Sequence, residues 1–249
     1  MNALKALRAL GPVDLRGIRR DSMLTYIALM PIVLALVLRF AVPWIRDQVF
    51  ARGGFDIAPF YFLLMSYFFV MLSSALVGMA VGFLVLDERD NQTLQALQVS
   101  PLPMRDYIVY RVSVPLVVSV LMTLAAYPLA GLGNLSLAQQ LVVALSAALL
   151  APLWMLFLAS FAANKVQGFA LLKAAGFIVL MLPMFAYFVK SGWHWAFGLL
   201  PSFWPVKIYW LFEAGETRVW PYLLIGILFQ SILLLLLLRQ FLRAIRQQS

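Results

Sequence analysis

Six stretches of the chain run for about twenty residues with scarcely a polar side chain, and charges, Gly or Pro close each of them. A helix needs roughly 20 mainly apolar residues to cross a hydrocarbon core of about 30 Å. The runs therefore predict spans over residues 23–45, 59–86, 107–132, 137–162, 168–189 and 219–238. The second run is long for a helix lying along the membrane normal, so tilt, a break in the helix or extension beyond the bilayer is expected there.

Two segments depart from this pattern. Residues 1–20 interleave Leu4, Leu7 and Leu10 with Lys5, Arg8, Arg16 and Arg19, and Gly11-Pro12 interrupts them. This is the pattern of a broken amphipathic helix lying at an interface, either an elbow that feeds force into the first span or a simple anchor. Residues 190–218 carry Trp193, Trp195, Phe197, Phe203, Trp204, Tyr209, Trp210 and Phe212, broken by Pro201 and Pro205. Amphipathic rings favour headgroup depth, so short interfacial or re-entrant helices are expected between the fifth and sixth spans.

Composition agrees with a lipid-embedded fold. Of 249 residues, 64% are hydrophobic and 12% charged, with a mean hydropathy of +0.93, against about 45–50% and about 25% in soluble domains. The expected unit is one all-α membrane domain over residues 1–249, with the amphipathic helix in 1–21, a cytoplasmic segment in 87–101 and the aromatic segment in 190–218. The first 21 residues lack a small-residue cleavage site and are expected to remain in the mature protein. Cysteine is absent, which removes disulfides and thiolate metal sites from consideration.

The net charge of +9 does not point to nucleic acid, because the basic residues lie at the ends of apolar runs, where orientation and lipid headgroups explain them. Placing the N-terminus inside puts thirteen of the 19 Lys and Arg on the inner side and leaves Arg39, Arg46, Arg52, Lys190, Lys207 and Arg218 outside. With an even number of spans, both termini are then cytoplasmic.

All ten carboxylates fall in loops or at span ends: Asp14, Asp21, Asp47, Asp56, Asp87, Glu88, Asp90, Asp106, Glu213 and Glu216. An ion-coupled carrier ordinarily needs such a group within the membrane, so this pattern argues against a secondary transporter. No carboxylate pair, Ser/His array or metal-ligand cluster gathers in one loop, which argues against an intramembrane enzyme. His194, the single histidine, has no Cys, Asp or Glu close by in sequence and reads as an aromatic-belt residue. Arg39, inside the first run but before Pro43 and Trp44, is expected to snorkel to the outer interface. Ser74, Gly78 and Gly82 form a row of small residues that admits a close helix neighbour, within the subunit or across a dimer. Asn164 and Lys165 make the turn between the fourth and fifth spans, with a further contact to a soluble partner left open.

The connection between the second and third spans is the most informative segment. After almost thirty uncharged residues come Asp87-Glu88-Arg89-Asp90. Asn91 is placed to cap a short helix, Leu94 and Leu97 form an apolar edge, and Pro101 and Pro103 stop it. A short helix of this kind suits docking in a groove on a soluble partner; from charge alone, the four charges equally suit an ordinary interfacial helix end.

The order of residues resembles the signature of the type-two ATP-binding-cassette (ABC) exporter permeases, carried here by Asp87-Glu88-Arg89-Asp90, Thr93-Leu94, Leu97, Ser100-Pro101 and Arg111. Gln92 stands where that family usually has Gly, and Arg111 where Lys is commoner. Asn164-Lys165-Val166-Gln167-Gly168 and Leu200-Pro201-Ser202-Phe203-Trp204-Pro205 resemble the branch labelled drug or fluoroquinolone export permeases. The resemblance implies a coupling role toward the ATPase for Asp87, Glu88, Arg89, Asp90, Thr93, Leu94, Leu97, Ser100 and Pro101. It also implies a separate ABC ATPase in two copies, binding ATP and magnesium, and a second permease copy or paralogue.

The implied function is export of a small hydrophobic or amphipathic substrate across a bacterial inner membrane. The chain has no phosphate-binding loop Gly-x-x-x-x-Gly-Lys-Ser/Thr, so hydrolysis is assigned to the partner and no cofactor, metal or catalytic residue to this chain. The alternative is a membrane interaction or assembly protein without transport activity.

Overall fold

The computed structural model describes residues 3–90, 103–189 and 192–246. Six helices are long and apolar enough to span a membrane: Ser22–Gly53, Ala58–Asp90, Met104–Ala130, Leu137–Phe161, Lys165–Phe185 and Trp220–Ala244. No strand occurs among the described residues. The chain is an all-α, multi-pass membrane protein.

Helix boundaries follow local chemistry. Asp21 starts the first span by accepting the backbone N–H groups of Met23 at 2.9 Å and Leu24 at 3.3 Å, as an N-cap carboxylate does. That helix continues past residue 45 to Gly53 and ends at Gly54, whose φ of 65° gives the left-handed cap that glycine adopts most readily. Ser136 and Gln139 form a reciprocal capping box at the start of the fourth span, and Asn164 caps the fifth by accepting the Gln167 N–H at 3.0 Å. The expected break in the amphipathic N-terminal helix is overturned: Ala3–Arg20 is one helix with Pro12 inside it. Proline there deletes a single N–H bond, and Arg8 and Pro12 are both exposed, so water can satisfy the freed carbonyl.

The second span is irregular, as its length suggested. It begins with a 3-10 turn at Ala58–Phe60, widens into a π-helical stretch at Ser66–Leu72 and returns to α geometry over Ser73–Asp90. The fifth span carries a similar widening at Phe177–Met181. Such turns break the regular backbone ladder and recur at functional positions.

The second and fourth spans form the centre of the bundle. Their most apolar windows are 89% and 72% buried, whereas those of the first, third, fifth and sixth spans are 17%, 28%, 17% and 11% buried. Glycines permit the central contact: a Cβ on Gly78 would lie 2.2 Å from the Ala151 carbonyl oxygen, and one on Gly82 would lie 2.9 Å from the Leu158 side chain. The small-residue row is therefore used within the subunit, where it brings helix backbones together.

The aromatic segment divides into two parts. Trp193 and Trp195 are exposed in the 3-10 stretch Gly192–Leu199, whereas the helix Phe203–Glu213 inserts into the bundle, burying Phe203, Val206, Ile208 and Tyr209. Ser202 donates to the Val179 carbonyl of the fifth span, and Trp210 Nε1 donates to Ser66 Oγ of the second at 3.2 Å. Gln230 of the sixth span donates to the Pro201 carbonyl at 2.8 Å. Arg39 donates to the Leu129 carbonyl in the last turn of the third span at 3.0 Å, where helix carbonyls lack intrahelical donors. His194 lies against Trp195 with ring centroids 4.7 Å apart.

Candidate functional site

The charges that close the second span meet the N-terminal helix and the start of the third span at one end of the bundle. The hub is Arg111, whose side chain is 2% exposed. One edge of its guanidinium grips Asp14 of the N-terminal helix through two bonds, Nη1 to Oδ2 at 2.7 Å and Nη2 to Oδ1 at 3.1 Å. Nη2 also donates to Glu88 Oε1. The planar fork of arginine makes such a bidentate grip natural, which an ammonium does not reproduce.

Two tyrosines complete this cluster. Tyr107 donates its hydroxyl to Glu88 Oε2 at 2.7 Å and Tyr110 to Asp14 Oδ2 at 2.7 Å. Their rings lie 5.3 and 5.4 Å from the guanidinium carbon, close enough for cation–π attraction. Each carboxylate thus accepts from two side chains that issue from one face of the third span. Burying charges is costly unless they are paired and hydrogen-bonded, and this pairing ties three chain segments into one geometry.

A second bridge lies alongside. Lys165, at the start of the fifth span, reaches Asp21 at 2.6 Å and Asp87 at 2.9 Å. The lysine hydrogen bond and the Leu24 and Met23 N–H groups hold the Asp21 carboxyl below its ordinary range, against the opposing effect of desolvation. Arg89 donates to the Ala162 carbonyl at the end of the fourth span and borders a polar cavity of about 300 Å³ with Gln167 and Gln240. Asp90 is exposed and ends the described part of the second span.

Glu88 is turned into the protein, Asp87 and Arg89 are engaged sideways, and only Asp90 of the four is exposed. Thr93, Leu94, Leu97, Ser100 and Pro101 lie outside the described residues, as does the proposed Asn91 cap. Sequence reasoning missed Asp14, Asp21, Tyr107 and Tyr110 as partners. The available hint was that Asp14 is the sole carboxylate in the first twenty residues.

At the opposite end, Arg46 and Asp56 form a two-bond pair at 2.7 and 2.9 Å. Asp56 also accepts the Ala58 N–H, and these bonds lower its carboxyl pKa to about 2. Glu213 accepts the Tyr209 hydroxyl at 2.8 Å and the Tyr127 hydroxyl at 3.3 Å, fixing the end of the inserted helix to the third span.

A family model described as "Fluoroquinolones export permease protein Rv2686c-like" matches residues 14–238. The chain belongs to that family. It is 32% identical over 238 residues to the fluoroquinolones export permease protein Rv2686c of Mycobacterium tuberculosis (strain ATCC 25618 / H37Rv), covering 95% of this chain and 94% of the relative. The protein MT2760 of strain CDC 1551 / Oshkosh, which carries the same description, matches to the same extent. No solved structure matches the chain. The match begins at Asp14 and takes in Glu88 and Arg111, so the whole charge cluster lies inside the family region of this export permease.

Proposed function

We propose that this chain is the transmembrane subunit of an ATP-driven exporter, and that residues 87–101 couple it to a separate ABC ATPase. The carrying observation is the pairing of Glu88 and Arg111 across the connection between the second and third spans, with Asp14 as a third member. A push on that connection would reach the N-terminal helix and both spans at once. Lys165 and Arg89 extend the same path to the first, fourth and fifth spans.

In this reading the charge cluster lies on the cytoplasmic side of a bacterial inner membrane, both termini are cytoplasmic, and two permeases act with two ATPases. Leu94 and Leu97 supply the apolar edge that docks in the ATPase. ATP and magnesium belong to the partner, and this chain performs no chemistry. The relatives' description makes fluoroquinolones the first substrates to test. An apolar cavity of about 160 Å³, lined by Trp154, Phe157 and Leu233, is smaller than the usual small-molecule site of about 300–1,000 Å³ and suits only a hydrophobic moiety.

The experiment is copurification of the chain from its native membrane, with a search for an ABC ATPase among the proteins that come with it, in wild type and as Leu97→Asp and Glu88→Gln. Leu97→Asp is expected to lose the ATPase while the chain stays folded. Glu88→Gln is expected to keep the ATPase but to hydrolyse ATP with reduced export. Unchanged assembly, hydrolysis and export in both variants would overturn the coupling assignment.

A further inference from the structure

A second cavity, of about 380 Å³, opens at the end of the bundle opposite the charge cluster. It lies between the residues that follow the fifth span, Ala186, Tyr187 and Val189, and the inserted helix, and His194 and Glu216 also line it. Its size falls within the range of small-molecule sites, about 300–1,000 Å³.

Its aromatic wall is held from several sides. Tyr187 and Trp210 pack edge to face with centroids 5.4 Å apart, and Tyr187 packs in the same way on Phe62 at 4.9 Å. Trp210 is fixed by its indole bond to Ser66, and Phe203 is fully buried. Rings locked by packing and hydrogen bonds offer contact area to a flat ligand at little entropic cost.

Lys207 lines the cavity and has no salt bridge among the described residues; its ammonium stands 6.0 Å from the Tyr222 ring. Glu216, also lining it, is exposed and likewise has no salt bridge there. An ammonium and a carboxylate that are not paired with each other border a cavity walled by rings. A planar aromatic compound carrying both an acidic and a basic group matches each of these features.

We propose that this cavity binds planar aromatic zwitterions, with Lys207 receiving the ligand's carboxylate, Tyr187 and Trp210 packing on its ring and Glu216 facing its amine. The proposal rests on the exporter reading for its biological use, but binding can be measured without ATP or the ATPase. The site would hold substrate at the exit side of the pathway.

The test titrates the purified full chain in lipid nanodiscs with a fluoroquinolone bearing a free carboxylate and with its methyl ester, following the ligands' own fluorescence. Charge-assisted bonds contribute about 1.5–3 kcal/mol, so Lys207→Met is expected to weaken the acid about tenfold or more. The ester should be nearly unaffected, and Lys207→Arg should retain most of the acid's affinity. Equal loss for acid and ester, no loss for either, or absence of binding to the wild type would overturn the site. ATP-dependent export by the assembled complex, measured in parallel with an uncharged planar dye, separates that outcome from failure of the exporter reading.

Discussion

Trp210 donates its indole N–H to Ser66 at the first residue of the π-helical stretch in the second span. The other end of the inserted helix is held by Ser202 on the Val179 carbonyl, within the π-helical stretch of the fifth span. One short helix thus joins the two irregular turns. Ser66→Ala leaves a buried indole donor without its acceptor, a loss of about 1–3 kcal/mol. Faster amide hydrogen exchange is expected over residues 203–213 in both Ser66→Ala and Ser202→Ala, with residues 137–161 unchanged. Unaltered exchange in 203–213 would show that packing alone seats the helix.

Arg111 is expected to be costly to remove. Arg111→Met leaves Asp14 and Glu88 facing each other without their cation, and breaking such a buried pair costs about 3–5 kcal/mol. Arg111→Lys keeps the charge but not the fork, and is expected to recover only part of the loss. Adding Asp14→Asn and Glu88→Gln to Arg111→Met should restore part of the stability, because the unpaired charges are then gone. Thermal unfolding in detergent checks the order; a triple variant less stable than Arg111→Met would contradict the pairing.

Lys165 and Asp21 give a pH-dependent contribution whose sign is determined. Folding lowers the Asp21 pKa, first through the lysine hydrogen bond. A depressed carboxylate adds stability above its unfolded value, near 3.9, and loses it as pH falls through the lower folded value. Both side chains are 28% exposed, so the pair is worth about 1 kcal/mol or less. Lys165→Met is expected to unfold at a lower temperature than wild type at pH 7, with the gap narrowing below about pH 4. A gap that widens on acidification would place the stabilising charge elsewhere.

Gly78 and Gly176 make opposite predictions for the same substitution. Gly78→Ala drives a methyl onto the Ala151 backbone, whereas nothing lies within 4 Å of a Cβ at Gly176. Overpacking of this kind costs about 1–3 kcal/mol. Gly78→Ala is expected to lower the unfolding temperature and Gly176→Ala to leave it unchanged or raised. Gly82→Ala should fall between, since the nearest atom to its new methyl, Leu158 Cδ1 at 2.9 Å, can move, although Leu158 Cβ at 3.1 Å cannot readily do so.

The six spans were legible because uninterrupted apolar runs leave little else for a chain to do in lipid. Their ends were less so. The helix of the first span continues through Arg46, Asp47 and Arg52 to Gly53, because polarity alone does not stop a helix and no breaker stands between Trp44 and Gly53. The π-helical stretches carry no composition of their own, and Ser66–Leu72 reads like any other apolar turn. The charge cluster was half visible: Asp87 to Asp90 stood out after a long uncharged run, but Asp14 lies 97 residues from Arg111. Pairings over such distances arise from how helices pack, and local spacing holds no trace of them.

The backbone contact at Gly78 and Ala151 also limits how such a protein can move. With no side chain between the second and fourth spans at that point, sliding one along the other there would have to break backbone contact, which favours their moving together as a single beam. The first, third, fifth and sixth spans, far less enclosed, are the ones left free to shift without prising that beam apart.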